Sequence, residues 1–217
     1  MAQVFSRRFT LVFKLMLLGA AIALVGVFIV YRLNARADAP RAAPIMQPVP
    51  FSHKHHAGDD GIDCRYCHSS VEQSAFAGLP SLQVCMTCHS QLYTQQAVLA
   101  PLVKAYSSGG HFAWNRVNDL PDFVYFNHSI HVAKGVGCVT CHGQIDEMPL
   151  TARAASLDMQ WCLSCHRDPA PNLRPHAHEF DMHWQPKGDR RKLGEQLMAA
   201  NHIRSPLELT QCSVCHR

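Results

Sequence analysis

One five-residue motif, Cys-x-x-Cys-His, occurs five times in this chain of 217 residues and contains all ten of its cysteines. The copies, numbered in chain order, are the first motif at 64–68, the second at 85–89, the third at 138–142, the fourth at 162–166 and the fifth at 212–216. No cysteine is left over for a structural disulfide or a thiolate nucleophile. The motif therefore constrains the fold more than any other feature of the sequence.

Two thiols three positions apart can add to the two vinyl groups of one haem, and the adjoining histidine is then held under the iron. Zinc sites and thioredoxin-like redox pairs also contain Cys-x-x-Cys, but neither accounts for a histidine after every pair. We predict five covalently bound c-type haems. Their attachment cysteines are Cys64, Cys67, Cys85, Cys88, Cys138, Cys141, Cys162, Cys165, Cys212 and Cys215. The proximal iron ligands are His68, His89, His142, His166 and His216.

Five haems in 217 residues leave roughly 43 residues for each haem, which is too few for an ordinary apolar core around each one. The expected fold is mainly α with long irregular loops. It is a multihaem cytochrome c domain with the haems as its core, plus one N-terminal transmembrane helix. The formal charge of +4 counts the polypeptide alone. Haem propionates offset this charge, so it predicts no nucleic-acid partner.

The N-terminal segment predicts a membrane anchor at 1–36. Residues 15–31 carry no charge and follow Arg7, Arg8 and Lys14, and with residues 11–13 they approach the roughly 20 positions that a bilayer requires. The run is longer than the usual core of a signal peptide, about 7 to 15 residues, so we expect an uncleaved single-pass anchor. Cleavage, which would leave a soluble periplasmic shuttle, is the alternative. A Pro-rich linker at 37–50 then leads to a pentahaem cytochrome c domain at 51–217.

An internal repeat organises this domain. Residues 51–56 align with 126–131 after a shift of 75 positions, and both have the pattern Phe-x-His-x-x-His followed by two motifs. The repeat units are 51–125 and 126–200, and the fifth haem belongs to 201–217. Histidines at i and i+3 share a helical face. We therefore predict four distal iron ligands, whose assignment to individual haems stays open: His53, His56, His128 and His131.

The distal ligand of the fifth haem has several candidates. Asn201-His202 precedes the fifth motif as Asn127-His128 precedes the third. Methionine ligation would raise the potential of this haem relative to a bis-histidine site, although a methionine is also a common packing residue. The candidates are His202, Met148 and Met159, followed by Met182 and His183. Three further histidines are interpreted as surface residues or supports of ligands: His111, His176 and His178.

A row of haems whose two axial positions are filled by protein passes electrons and binds no substrate at iron. The competing class is an enzyme with one open haem acting on nitrite or hydroxylamine. Pentahaem nitrite reductases are much longer and carry lysine in place of one proximal histidine, a motif that this chain lacks. We therefore expect no catalytic residue and no small-molecule substrate at this chain.

The chain resembles the pentahaem subunit of alternative complex III, a bacterial quinol-oxidising assembly. The resemblance is carried by the N-terminal span, 51–56, 61–68, 85–89, 126–142, 161–167 and the fifth motif. It implies an electron-transfer subunit anchored in the cytoplasmic (inner) membrane, with its haem domain on the periplasmic face. The implied partners are an iron-sulfur subunit, polytopic quinol-binding subunits, and a monohaem cytochrome c or a terminal oxidase that accepts the electrons.

A second family is also similar, the small tetrahaem anchors of periplasmic nitrate and nitrite reductases. These proteins share the single anchor and the low number of residues per haem. They differ in haem number and lack the repeat of 75 residues. The alternative function is therefore a stand-alone, membrane-anchored quinol dehydrogenase that feeds a periplasmic reductase.

Overall fold

The computed structural model describes residues 6–37 and 43–216. Its contacts divide the chain into two compact units, Met1–Pro40 and Arg41–Arg217. The first unit contains helix α1, Arg7–Ala37. Within it, Arg7–Arg32 has a mean hydropathy of 2.5 and is long and apolar enough to cross a membrane, a test that a signal sequence also passes. Residues 1–5 of the predicted anchor lie outside the described part of the chain.

The linker predicted at 37–50 is described only in part, since residues 38–42 lie outside the described ranges. The amide of Gln47 donates to the carbonyl of Asn115 at 2.8 Å and accepts the N–H of Asn115 at 2.9 Å. Val49 is buried against Met86 and Leu102. The end of the linker thus packs on the haem domain and does not act as a free spacer.

The second unit consists of short helices joined by irregular segments. The helices are α2 (Cys64–Cys67), α3 (Leu82–His89), α4 (Ala100–Ser107), α5 (His128–Ala133), α6 (Val139–His142), α7 (Met159–Arg167), α8 (Arg190–Ala200), α9 (Pro206–Leu209) and α10 (Cys212–Cys215). A π-helical turn covers Lys54–Asp59, and 3-10 turns cover Ala97–Leu99, Ile145–Glu147, Ala170–Asn172 and His176–His178. Among the described residues there is no strand, only an isolated bridge between Val136 and Leu173. The mainly α prediction is confirmed.

Polar side chains begin several of these helices. Asp63 accepts the N–H of Arg65 ahead of α2, and Asp158 accepts the N–H of Trp161 ahead of α7. Such N-caps satisfy backbone donors that have no partner within the helix. The caps therefore fix where two of the motif helices start.

Pro101 lies in the first turn of α4 and does not interrupt this helix. Proline fits this position because its missing N–H would have no helical partner there. The Pro-rich segment 168–175 contains the 3-10 turn Ala170–Asn172. The helix that follows, α8, ends at Ala200.

The apolar core of the protein itself is small. Among the described residues, no large side chain is fully buried, and the one buried cluster consists of Val49, Met86 and Leu102 with partly buried neighbours. A domain of this length ordinarily buries more apolar surface. The small core agrees with a multihaem domain in which haems supply most of the interior.

Candidate haem-binding site

The five motifs lie on five short helices, α2, α3, α6, α7 and α10, of which α6 starts directly after Cys138. Residues three apart on a helix share a face, so the two thiols of each motif point to the same side. None of the ten cysteines is in a disulfide. Each helix thus presents two sulfur atoms and a neighbouring imidazole, which are the groups that c-type haem attachment requires.

Four pairs of imidazole rings face each other across the site. Each pair joins a histidine of the repeated Phe-x-His-x-x-His segments to a histidine of a motif. The centroid distances are 6.5 Å for His53 and His68, 6.1 Å for His56 and His89, 6.5 Å for His128 and His142, and 6.2 Å for His131 and His166. An imidazole nitrogen lies about 1 Å from its ring centroid and binds a metal at about 2 Å. Two rings on opposite sides of one ion therefore have centroids about 6 Å apart, as these four pairs do.

Hydrogen bonds at Nδ1 orient the motif histidines. Four of them donate this N–H to backbone carbonyls: His68 to Gly78 at 2.7 Å, His89 to Leu92 at 3.3 Å, His166 to Leu209 at 2.9 Å and His216 to Phe123 at 3.0 Å. Since a carbonyl only accepts, Nδ1 must carry the proton. The lone pair then resides on Nε2, as in other metal-binding histidines.

The partner histidines are held in the same way. The Nδ1 atom of His53 is hydrogen-bonded to the hydroxyl of Thr151 at 2.9 Å. The other three Nδ1 atoms bond backbone carbonyls: His56 to Ser52 at 2.9 Å, His128 to Ala75 at 2.9 Å and His131 to Asn127 at 2.7 Å. In every pair the Nε2 atoms are thus left available to a metal. The residues fit a six-coordinate haem iron.

The amide of Asn118 completes the set at His142. Its nitrogen lies 3.1 Å from Nδ1 of His142, while its oxygen is buried without a hydrogen-bond partner. The positions of the oxygen and nitrogen of a side-chain amide are assigned from the hydrogen bonds that each can make. We therefore assign the Asn118 oxygen to the position facing His142. The oxygen then accepts the Nδ1–H and gains a partner. Sequence reasoning missed Asn118, and no motif or repeat marks it.

The phenylalanine of each repeat segment packs against both of its histidines. The Phe51 ring meets His53 edge-on at 4.9 Å and stacks on His56 at 4.6 Å. The Phe126 ring meets the equivalent histidines at 4.7 Å and 4.5 Å with similar angles. Both phenylalanines belong to the repeated sequence pattern, and each one packs against both histidines of its own segment.

Burial keeps the most enclosed histidines neutral. It lowers the pKa of His53 to about 4, and the nearby His68, His142 and His56 add smaller effects in the same direction. Burial also lowers the pKa of His142 to about 4. A neutral imidazole is the form that binds a metal.

The fifth motif has no paired imidazole of this kind among the described ring contacts. His216 stacks on Phe123 at 5.9 Å, and the carbonyl of Cys215 accepts the N–H of Tyr125 at 2.8 Å. His202, two residues after α8, is exposed and has a φ of 50°. Met159 is 62% exposed at the start of α7. The distal ligand of this haem stays a prediction.

The remaining candidates have other neighbours. Met148 is partly buried beside Gly143, and Met182 is buried. The Nε2 atom of His183 lies 2.7 Å from the carboxylate of Asp146, so the nitrogen that would bind iron is already engaged. Two further histidines also face carboxylates: His176 faces Glu179 at 2.6 Å, and His178 faces Asp181 at 3.5 Å.

Comparison with known proteins gives two matches. The model of the class III cytochrome c family matches residues 32–109, which include the first two motifs. The multiheme cytochrome c subunit of the menaquinone reductase of Nitratidesulfovibrio vulgaris is 37% identical over 133 residues, 61% of this chain and 57% of that protein. The chain thus spans little more than half the length of this relative. Together with the motif spacing, the matches identify a multihaem cytochrome c domain with covalently bound c-type haem.

Proposed function

We propose that the ten cysteines attach five c-type haems and that four of the irons have two histidine ligands each. The ligand pairs are His53 with His68, His56 with His89, His128 with His142, and His131 with His166. The observation that carries this proposal is the opposed placement of these rings, 6.1 to 6.5 Å apart, with their Nδ1 atoms bonded elsewhere. A bound haem supplies one-electron chemistry at its iron.

With both axial positions filled by imidazoles, these sites leave no iron position for a substrate. The chain's own residues orient the ligands, exclude water from them and hold the haems close together. The proposed role is therefore electron relay without catalysis at this chain. His216 ligates the fifth haem, and its distal ligand is one of His202, Met148 and Met159.

The proposed organisation places an anchor at 1–36, a linker at 37–50 and the haem domain at 51–217, with the haem domain on the periplasmic side of the cytoplasmic membrane. The length and hydropathy of Arg7–Arg32 support the anchor. The covalent haem motifs support the orientation, because c-type cytochromes acquire their haem on the outer face of the membrane.

At the level of the assembly, we propose a subunit of a membrane-bound quinone oxidoreductase resembling alternative complex III. In that assembly, quinol oxidation by polytopic subunits delivers electrons through an iron-sulfur subunit and this chain to a monohaem cytochrome c or a terminal oxidase. The similarity to a subunit of a quinone-linked complex supports this assignment.

A second candidate differs in the direction of electron flow. The similar protein belongs to a menaquinone reductase, in which the quinone receives electrons. The haems would then carry electrons toward menaquinone, and the donor would be a periplasmic protein. The stand-alone quinol dehydrogenase is the remaining alternative.

Purification in a mild detergent tests these assignments. We expect iron-sulfur and polytopic subunits to co-purify, and menaquinol to reduce the haems of the isolated complex. Menaquinone reduction by a reduced periplasmic cytochrome, without the reverse reaction, would favour the second candidate. A chain that purifies alone and oxidises menaquinol by itself would rule out the complex.

A further inference from the structure

The second repeat unit is bonded to the first through its leading distal histidine. The backbone N–H and the Nδ1–H of His128 both donate to the carbonyl of Ala75, at 3.1 Å and 2.9 Å. The next residue, Ser129, donates its N–H to the carbonyl of Ser74 at 3.2 Å. The imidazole of one unit is thus oriented by the backbone of the other.

The first unit is bonded to the second at matching positions. His53 bonds the hydroxyl of Thr151 at 2.9 Å, and Lys54 donates its N–H to the carbonyl of Met148 at 3.0 Å. In the repeat, His53 occupies the same place as His128, and Lys54 the same place as Ser129. Gly58 also approaches the carbonyl of Asp146 so closely that a Cβ would overlap it. The two units are therefore joined reciprocally, as in a two-fold pair.

This pairing brings the first and third motifs together in the middle of the domain. The guanidinium of Arg65, inside the first motif, lies over the ring of Phe180 at 4.5 Å. The neighbouring Glu179 accepts the N–H of Cys138, which begins the third motif, at 3.1 Å. The leading motifs of the two units are thus neighbours.

The second motif lies on the outer side of the first. The hydroxyl of Tyr66, inside the first motif, bonds the hydroxyl of Thr87, inside the second, at 2.8 Å. The contact is direct, from the helix of one motif to the helix of the next.

The fourth and fifth motifs extend the other side. On α5, His128 faces His142 of the third motif at 6.5 Å, and His131 faces His166 of the fourth at 6.2 Å. The Nδ1–H of His166 donates to Leu209, shortly before the fifth motif, at 2.9 Å.

From these contacts we infer that the haem sites form one row in the order second, first, third, fourth, fifth motif, which differs from the order along the chain. The inference rests on the proposed haems and specifies the path between them. The first motif is then an interior site, and the second and fifth motifs are the two ends. Electrons enter and leave at these ends, where Cys88 and Cys212 are exposed.

Light-driven reduction from one end tests the order. Leu207 on α9 is 80% exposed, and Leu207→Cys supplies a single reactive thiol for a ruthenium photosensitiser, because the native cysteines are in thioethers. In one protein, His53→Ala removes the distal ligand from the haem of the first motif. In a matched protein, His56→Ala removes the distal ligand from the haem of the second motif. Carbon monoxide then holds the opened haem reduced, so that it cannot accept an electron.

The two matched variants give opposite results under the two orders. The inferred order predicts that flashes rapidly reduce three further haems in the His53→Ala protein and four in the His56→Ala protein, out of the five motifs. If the haems instead followed the order of the motifs along the chain, four haems would be reduced in the His53→Ala protein and three in the His56→Ala protein. This result would overturn the inference. If either variant fails to assemble, anomalous scattering at the iron edge from wild-type crystals measures the order directly. An iron of the second motif nearer to the third than to the first would also overturn it.

This test is independent of the assembly. It uses purified chain and an artificial reductant, so failure to find partner subunits leaves its outcome unaffected. A protein without haem would instead contradict the proposed function, as a haem count made beforehand would show.

Discussion

At the scale of single residues, Asn118 determines which nitrogen of His142 carries the proton. Its amide lies 3.1 Å from Nδ1, and a partner at this position tunes the basicity of a metal-bound imidazole. Asn118→Asp would place a carboxylate there and make the imidazole a stronger electron donor. We expect one haem potential to fall in a spectroscopic redox titration while the others keep theirs. An unchanged titration would contradict this role of Asn118.

Removing a distal ligand should open one iron. In His128→Ala, the ring opposite His142 at 6.5 Å is lost, and one haem becomes five-coordinate. We expect a high-spin signal and binding of about one carbon monoxide per chain. His111→Ala is the matched control, since His111 is an exposed histidine outside the four pairs. A low-spin spectrum in His128→Ala would refute the assignment.

The four histidine pairs differ in the angle between their ring planes. The angle is 9° for His53 with His68 and 8° for His128 with His142, but 67° and 40° for the two other pairs. Parallel imidazoles interact with the same iron d orbital, whereas crossed imidazoles interact with two. We therefore expect rhombic low-spin EPR signals from the parallel pairs and more anisotropic signals from the crossed pairs.

Two matched variants test this assignment by EPR. His53→Ala should remove a rhombic signal, and His56→Ala should remove an anisotropic one. The reverse pattern would mean that the two histidines serve the opposite haems.

At the scale of elements, α8 packs on the turn Ala170–Asn172 through Gly194, where a Cβ would overlap the carbonyl of Ala170. Alanine favours a helix over glycine by about 1 kcal/mol, but overpacking against a fixed backbone costs about 1–3 kcal/mol. We expect Gly194→Ala to lower the thermal unfolding midpoint. The exposed Gln196→Ala should leave it unchanged. A more stable Gly194→Ala protein would show that the helix can shift.

The sequence predicted these elements to different degrees. The motif helices were predictable because their spacing and caps are local, and the histidine positions because Phe-x-His-x-x-His is repeated. Which histidine faces which motif was not predictable, since helical spacing places His53 and His56 on one face without showing what folds back onto it. Asn118 and Thr151 contribute through contacts distant in sequence, which no local pattern marks.

At the scale of the whole molecule, the chain divides into two compact units, Met1–Pro40 and Arg41–Arg217. We therefore expect the haem domain to fold without the proposed anchor. A chain in which a cleavable export signal replaces residues 1–40 should be released as a water-soluble, haem-loaded protein. The full chain should require detergent, because Arg7–Arg32 is apolar. Fractionation with haem staining measures both. A truncated protein that stays in the membrane would show that other segments bind there.

The most direct measurement of the central claim is a haem count on detergent-purified protein, by the pyridine haemochrome spectrum against polypeptide concentration, combined with low-temperature EPR. The account predicts five haems per chain, of which four give low-spin bis-histidine signals. Fewer haems, bound zinc, or a high-spin majority would contradict it.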